Sequence, residues 1–405
     1  MSKRNLRLPI TQTIGLAFCL LCPSIGLAEK YGGMAGLAAY IVVALSLLIL
    51  ACRLGLPMFL SNVTEKQAIV LALITFLGLI ALFLILYPIA QSGALGGGSD
   101  GDDALDLGAT ALMHGRYPYY QKTYLGNLIS PLPGALFFAV PFVALGRSAY
   151  QSLFWLACFF FAVRAYYQSS ATALALVWIM LALSPVVLQN VVVGVDYLAN
   201  SIYVLLFMWW AAACIPRYDL SIWKKVLPSV LLGIALSSRS NFIFNLPPLF
   251  SFLVQNAGWK QAIKYAAVTC LSLLAVTIPF WLYAPDWFAP LSQQPHKLER
   301  LQAILPKAVI VIPLASFAVS LALSFKRMGS DPLVLFRNCA IVQAVPALAV
   351  LSLSTMISGG AGLVFASFGI FFMFFGAMPC WDAVLKPLRI ERQHNSPNNF
   401  NVNST

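Results

Sequence analysis

Apolar runs long enough to cross a bilayer recur along almost the whole chain, separated by short stretches that hold nearly all of its charges. Spanning the hydrocarbon core takes about 20 predominantly apolar residues. Runs of this kind fall at 9–28, 34–52, 67–89, 131–146, 149–167, 171–190, 197–215, 226–254 (interrupted), 262–284, 304–325, 333–354 and 356–380. Backbone polar groups inside lipid must be satisfied within the segment, so runs of this length predict helices. The pattern predicts an all-α, polytopic transmembrane helical bundle with about eleven to thirteen apolar segments. Residues 1–390 read as a single integral membrane domain, in which 1–66 form an N-terminal helical extension. The polar, Asn-rich tail 391–405 reads as disordered.

Composition sharpens this without changing it. The 405 residues are 60% apolar and 9% charged. The net charge of +12 comes from Lys and Arg beside helix ends, as orientation signals do, and does not point to nucleic acid. Cys19 and Cys22 make a CxxC in FCLLCP, but it lies inside the first apolar run with no second pair or histidine nearby, so the eight cysteines read as small buried hydrophobes. The N-terminal run has the outline of a cleavable signal, yet an uncleaved first helix suits a multispanning chain.

Positive loops face the cytoplasm. Lys3, Arg4 and Arg7 put the N-terminus inside, Glu29 outside, Arg53 and Lys66 inside, and the loop 90–130 outside. Counting back from Lys386 and Arg389 through Lys326, Arg327 and Arg337, then Lys260 and Lys264, then Arg217, Lys224 and Lys225, puts loop 285–303 and Asp196 outside as well. The two countings meet across runs 131–146, 149–167 and 171–190, where an even number of crossings is required. One of these runs must re-enter, lie along the interface or fail to cross. The expected exception is 131–146, the shortest, interrupted by Pro131, Pro133 and Pro141. Run 226–254 is irregular too. Arg239 sits at its centre, about 20 Å of helix from Val226, so the chain is expected to turn near Asn241 and Asn245 with Arg239 at a wet cavity or snorkelling to headgroups.

Candidate chemistry gathers on the predicted outer face. Asp100, Asp102, Asp103 and Asp106 account for four of the thirteen acidic residues of the chain. The same face carries His114, Arg116, Lys122, Asp196, Arg239, Asp286, His296, Lys297, Glu299 and Arg300. Carboxylates opposite cations at a membrane cleft suit a base that deprotonates an acceptor hydroxyl while cations hold a phosphate leaving group. Lipid-linked sugar phosphates present such a phosphate at the bilayer surface. His114 and His296 are candidates for proton or phosphate contacts, and a divalent metal is compatible with the residues though no spacing demands one. Tyr117, Tyr119, Tyr120 and Tyr124 suit either a sugar site or an interfacial belt.

Three stretches resemble the GT-C superfamily of integral-membrane glycosyltransferases. The first is an apolar run, an acidic outer loop with Asp102 and Asp103, then Ala109, Leu112, Gly115, Pro118 and Tyr119, then SPLPGALFFAVPFVALG. The second is Asp196 in GVDYLAN, and the third is LGIALSSRSNF with Arg239. Together they span roughly residues 67–255, and they are most similar to polyprenyl-phosphate-dependent mannosyl- and arabinofuranosyltransferases. The chain departs in having only aspartates in the first outer loop, Ser130-Pro131-Leu132-Pro133 where an aromatic or His precedes a proline pair, and three apolar runs before the acidic loop. The resemblance implies an outward-facing active site in the plasma (inner) membrane. There a polyprenyl-phospho-sugar donor would pass its sugar, with inversion, to a glycan or glycolipid hydroxyl. It further implies Asp103 or Asp102 as base, with Asp100 next, and Arg239 at the lipid phosphate. Asp196, Arg116, Lys122, His114 and His296 are the remaining substrate-binding candidates. The rival readings are a secondary transporter and a lipid-linked glycan flippase or polymerase.

Overall fold

The computed structural model describes residues 10–93, 99–292 and 299–395, with 389–395 as backbone alone. Lys3, Arg4, Arg7, His296, Lys297 and the tail beyond Asn395 lie outside the described residues. Among the described residues no strand forms, and one antiparallel bridge pairs Lys122 with Leu128.

Helix α1 (Ile10–Leu21) passes through a short turn into α2 (Ile25–Leu50), which is bent at Gly33 and followed by α3 (Leu56–Asn62). Thr64 starts α4 (Glu65–Gln91) with a reciprocal cap: its hydroxyl accepts from the Gln67 N–H, and its own N–H donates to the Gln67 side chain at 2.9 Å. Then come α5 (Gly101–Met113), α6 (Pro133–Ala144), α7 (Tyr150–Tyr167), α8 (Ser170–Leu183) and α9 (Pro185–Val193). The remainder are α10 (Tyr197–Cys214), α11 (Ile222–Leu236), α12 (Leu246–Tyr283), α13 (Ala308–Ser324), α14 (Pro332–Ser358) and α15 (Ile370–Asn395).

Five helical runs among the described residues are long and apolar enough to cross a membrane: Ile10–Asn62, Glu65–Gln91, Tyr197–Cys214, Ser240–Tyr283 and Pro332–Leu388. The pair α8–α9, bent by 85°, makes a sixth if taken as one span. The chain is therefore a multi-pass helical membrane protein. Three of these runs each hold two apolar stretches that read as separate in the sequence. Gly33 and Gly258 take non-helical backbone angles that separate two helices there, and the tight helical turns of Gly359–Gly369 stand between α14 and α15.

Two of the three runs at the parity conflict are irregular. Helix α6 has 12 residues, about 18 Å of helix against a hydrocarbon core of about 30 Å. Run 171–190, expected as one helix, breaks at Ser184, where Pro185 opens α9. The turn expected within 226–254 is present: α11 ends at Leu236, Arg239 is extended, and Ser240–Asn245 form a tight turn that leads into α12.

The large core is built from the buried face of α15, with Phe372, Phe374, Phe375 and Trp381 fully enclosed, against α1, α10 and α14. Helix α4 leaves Leu73, Leu77 and Leu84 exposed, an apolar surface suited to acyl chains. A second, smaller core joins Leu105 and Ala109 of α5 with Tyr119, Ile129, Leu132, Leu136 and Phe288. That core fixes the acidic helix α5 and the loop following it, and so positions the candidate site.

Candidate functional site

The acidic loop is a helix with its four carboxylates distributed around it, and each has a different environment. Asp100 stands at the N-terminal end of α5, where its Oδ2 accepts from the Thr123 hydroxyl at 2.6 Å and from Asn127 Nδ2 at 2.8 Å. Asp103 accepts the Tyr124 N–H at 2.8 Å. Asp106 accepts the Ser148 N–H at 2.7 Å and faces Arg147 at 3.5 Å. Asp102 is only 2% exposed, and its Oδ2 accepts from Tyr87 Oη and Gln91 Nε2 of α4, both at 2.6 Å. Its Oδ1 is buried and accepts no side-chain hydrogen bond among the described residues. Burial pushes the Asp102 carboxyl up to about 6, against the Tyr87 hydrogen bond, which favours the anion.

Asp196 and Arg239 form a buried ion pair. Asp196 is fully buried, Arg239 is 19% exposed, and one guanidinium nitrogen donates to Asp196 Oδ1. Asn200, one helical turn along α10, donates to Asp196 Oδ2 at 2.7 Å and accepts from the Tyr203 hydroxyl. The Arg239 guanidinium lies over the Tyr197 ring, 4.9 Å from its centroid. Its Nε–H is buried and has no partner among the described residues. Two glycines make the surrounding packing possible. Gly134 brings the start of α6 against the end of α11, where a Cβ would fall 2.0 Å from the Ile234 carbonyl oxygen, and its N–H donates to Ser237 O at 3.0 Å. Gly194 ends α9 at φ +77°, and a Cβ there would stand 2.7 Å from the Ala149 Cβ.

Two cavities meet at this pair. A polar one of about 260 Å³ is lined by Asp100, Thr123, Asn127, Ser130, Asp196 and Arg239, among others. A second of about 670 Å³ shares Ser130, Tyr197 and Arg239 with it and continues along Ile312, Pro346, Val350, Phe365, Phe368 and Phe371. Arg300 also lines this larger cavity, stacked on Phe365 at 4.3 Å. Gln343 of α14 reaches its wall, donating to Asn241 O at 3.0 Å and to Asn245 Oδ1 at 2.9 Å.

The structure thus brings together Asp100, Asp196 and Arg239, places Arg300 on the larger cavity that Arg239 also lines, and puts Asp102, Asp103, His114, Arg116 and Lys122 elsewhere. Asp102 and Asp103 line neither cavity. His114, Arg116 and Lys122 are exposed, with His114 Nδ1 2.8 Å from Thr110 O. His296 lies outside the described residues. Among the described residues no three His, Cys, Asp or Glu side chains converge on a possible metal position. Ser130, Tyr197, Asn241 and Gln343 are site residues that the sequence reading missed. The polar Gln343 within apolar run 333–354 was the one available signal. Comparison with protein-family models, with curated proteins and with solved structures found no match to the chain.

Proposed function

We propose that the chain is an inverting glycosyltransferase of the GT-C kind, embedded in the plasma (inner) membrane with its site facing outward. Its donor is a polyprenyl-phospho-sugar, and its acceptor is the hydroxyl of a glycan or glycolipid. The observation that supports this reading is the junction of two cavities of opposite character at Arg239, Tyr197 and Ser130. An anionic lipid matches that pairing: its chain lies along Ile312, Val350 and Phe368, and its phosphate lies between Arg239 and Arg300. The unpartnered Arg239 Nε–H is a donor that a phosphate oxygen satisfies.

On this reading Asp100 is the base, since it alone of the four clustered aspartates lines the polar cavity. Its carboxylate takes the acceptor O–H proton as the oxygen bonds to the anomeric carbon. The bond from that carbon to the phosphate oxygen breaks, and the lipid phosphate leaves with the electron pair. Asp196 holds Arg239 in place, and Asn200 and Tyr203 hold Asp196. General-base help of this sort is worth roughly 10²–10⁴ in rate.

The test is incubation of the purified protein in detergent with radiolabelled polyprenyl-phospho-sugar and a glycan or glycolipid acceptor. Passage of the label to the acceptor with release of polyprenyl phosphate, nearly abolished in Arg239→Leu, is the expected result. Flux of the labelled lipid across sealed vesicles without product would instead favour the transporter reading.

A further inference from the structure

Asp102 is set apart from the other acidic residues of its helix by what it joins. Its Oδ2 holds Tyr87 and Gln91 at the end of α4, and the same Gln91 Nε2 reaches the Val193 carbonyl at 3.4 Å. The Asp102 backbone carbonyl accepts from the Ser148 hydroxyl at 3.2 Å, in the turn before α7. A Cβ on Gly194 would stand 3.1 Å from the Tyr87 ring and 3.2 Å from the Asp102 Cβ. Four separate parts of the chain therefore meet around one buried residue. Two residues before it is Asp100, and two residues after Gly194 is Asp196.

We infer that Asp102 is a positioning residue, a clamp that fixes Asp100 relative to the Asp196–Arg239 pair by fastening α5 and the Val193–Gly194 turn to the end of α4. This deepens the transferase reading and takes its functional meaning from it, although the clamp itself is independent of any reaction. The groups facing Asp102 are Tyr87 and Gln91 from α4, Asp103 and Asp106 from its own helix, and Arg147 and Ser148 from the turn before α7. Burial is the largest influence on it and disfavours the charged form, no cation pairs with it directly among the described residues, and Asp106 adds like charge. Together these outweigh the Tyr87 hydroxyl and the Asp103 and Asp102 N–H groups, which favour the anion. The clamp therefore closes best with a neutral carboxyl.

The sign follows from the carboxyl standing at about 6 when docked against an ordinary 3.8. Docking is tightest below the ordinary value and weakens as pH rises through about 6. The difference corresponds to roughly a 10²-fold change in the docking equilibrium.

Hydrogen exchange of the whole purified protein, read by mass spectrometry between pH 4.5 and 8 and corrected for intrinsic rates, tests this without a donor or an activity. Residues 101–113 and 190–196 are expected to open as one unit, with the opening increasing with pH and levelling off above about 6. In Asp102→Asn, which stays neutral, the opening should lose its pH dependence and be about 10²-fold rarer than wild type at pH 8. Faster exchange in Asp102→Asn at every pH, or independent opening of the two segments, overturns the inference. Tyr87→Phe keeps the carboxyl and removes a donor to its anion, so its plateau should move to higher pH; an unmoved plateau counts equally against the clamp. Failure of the transferase assay leaves this measurement untouched.

Discussion

Replacing Arg239 with Leu should destabilise the protein by about 3–5 kcal/mol through Asp196 alone. The reason is what the substitution leaves behind. Asp196 is fully buried, and Asn200 becomes its one remaining side-chain donor among the described residues. Breaking a buried pair by removing one partner leaves an uncompensated charge, and that charge is the source of the cost. Loss of the contact with Tyr197 adds about 1 kcal/mol. Unfolding of wild type and variant in detergent, by denaturant or heat, reads the difference. Arg239→Leu combined with Asp196→Asn should recover most of the loss. Equal stability of wild type and single variant, or a double variant no better than the single, would refute the buried pair as the source of the cost.

Asp100→Asn keeps the size and the polar contacts of Asp100 but cannot take a proton, so donor turnover should fall about 10²-fold or more with donor binding nearly unchanged; retention of half the wild-type rate would remove Asp100 from the base role. Gly194→Ala should cost at least about 2 kcal/mol, from the left-handed backbone and the overlap with Ala149 together, and an unaltered melting temperature in detergent would contradict that packing. Single cysteines at Ser99 and at Asp286, in a background lacking the eight native cysteines, should both label with an impermeant thiol reagent on intact cells, permeabilised if an outer membrane surrounds them. Protection of either position would break the outward orientation.

Helical character and the membrane environment were legible because apolar length states them directly. So was the irregularity at Arg239, since a charge at mid-run has to be accommodated somewhere. The breaks between runs were legible too: Gly33 and Gly258, which separate apolar runs in the sequence, take non-helical backbone angles in space. Within the site, the pairing of Asp196 with Arg239 joins residues 43 positions apart, which local pattern does not encode. The order of the aspartates along the chain does not show which of them lines the polar cavity, for a simple reason. Successive helical residues point about 100° apart, so Asp100, Asp102 and Asp103 face three different surroundings. Proximity to a motif does not reveal which one faces a cavity.

The shortness of α6 has a consequence for the surrounding lipid. Phe137 of this helix and Leu145 just past its end are exposed, and where an apolar stretch of about 18 Å faces a core of about 30 Å, thinning of the bilayer is one way to accommodate it. The start of α6 is fastened to Ser237 and Ser238, the residues that immediately precede Arg239. On the proposed reading, a dimple at α6 would lower the headgroup plane toward the depth of the arginine, so that a lipid-borne phosphate would have less hydrocarbon to cross. Acyl-chain length would then be a variable of the site, with thicker membranes opposing access and thinner ones favouring it.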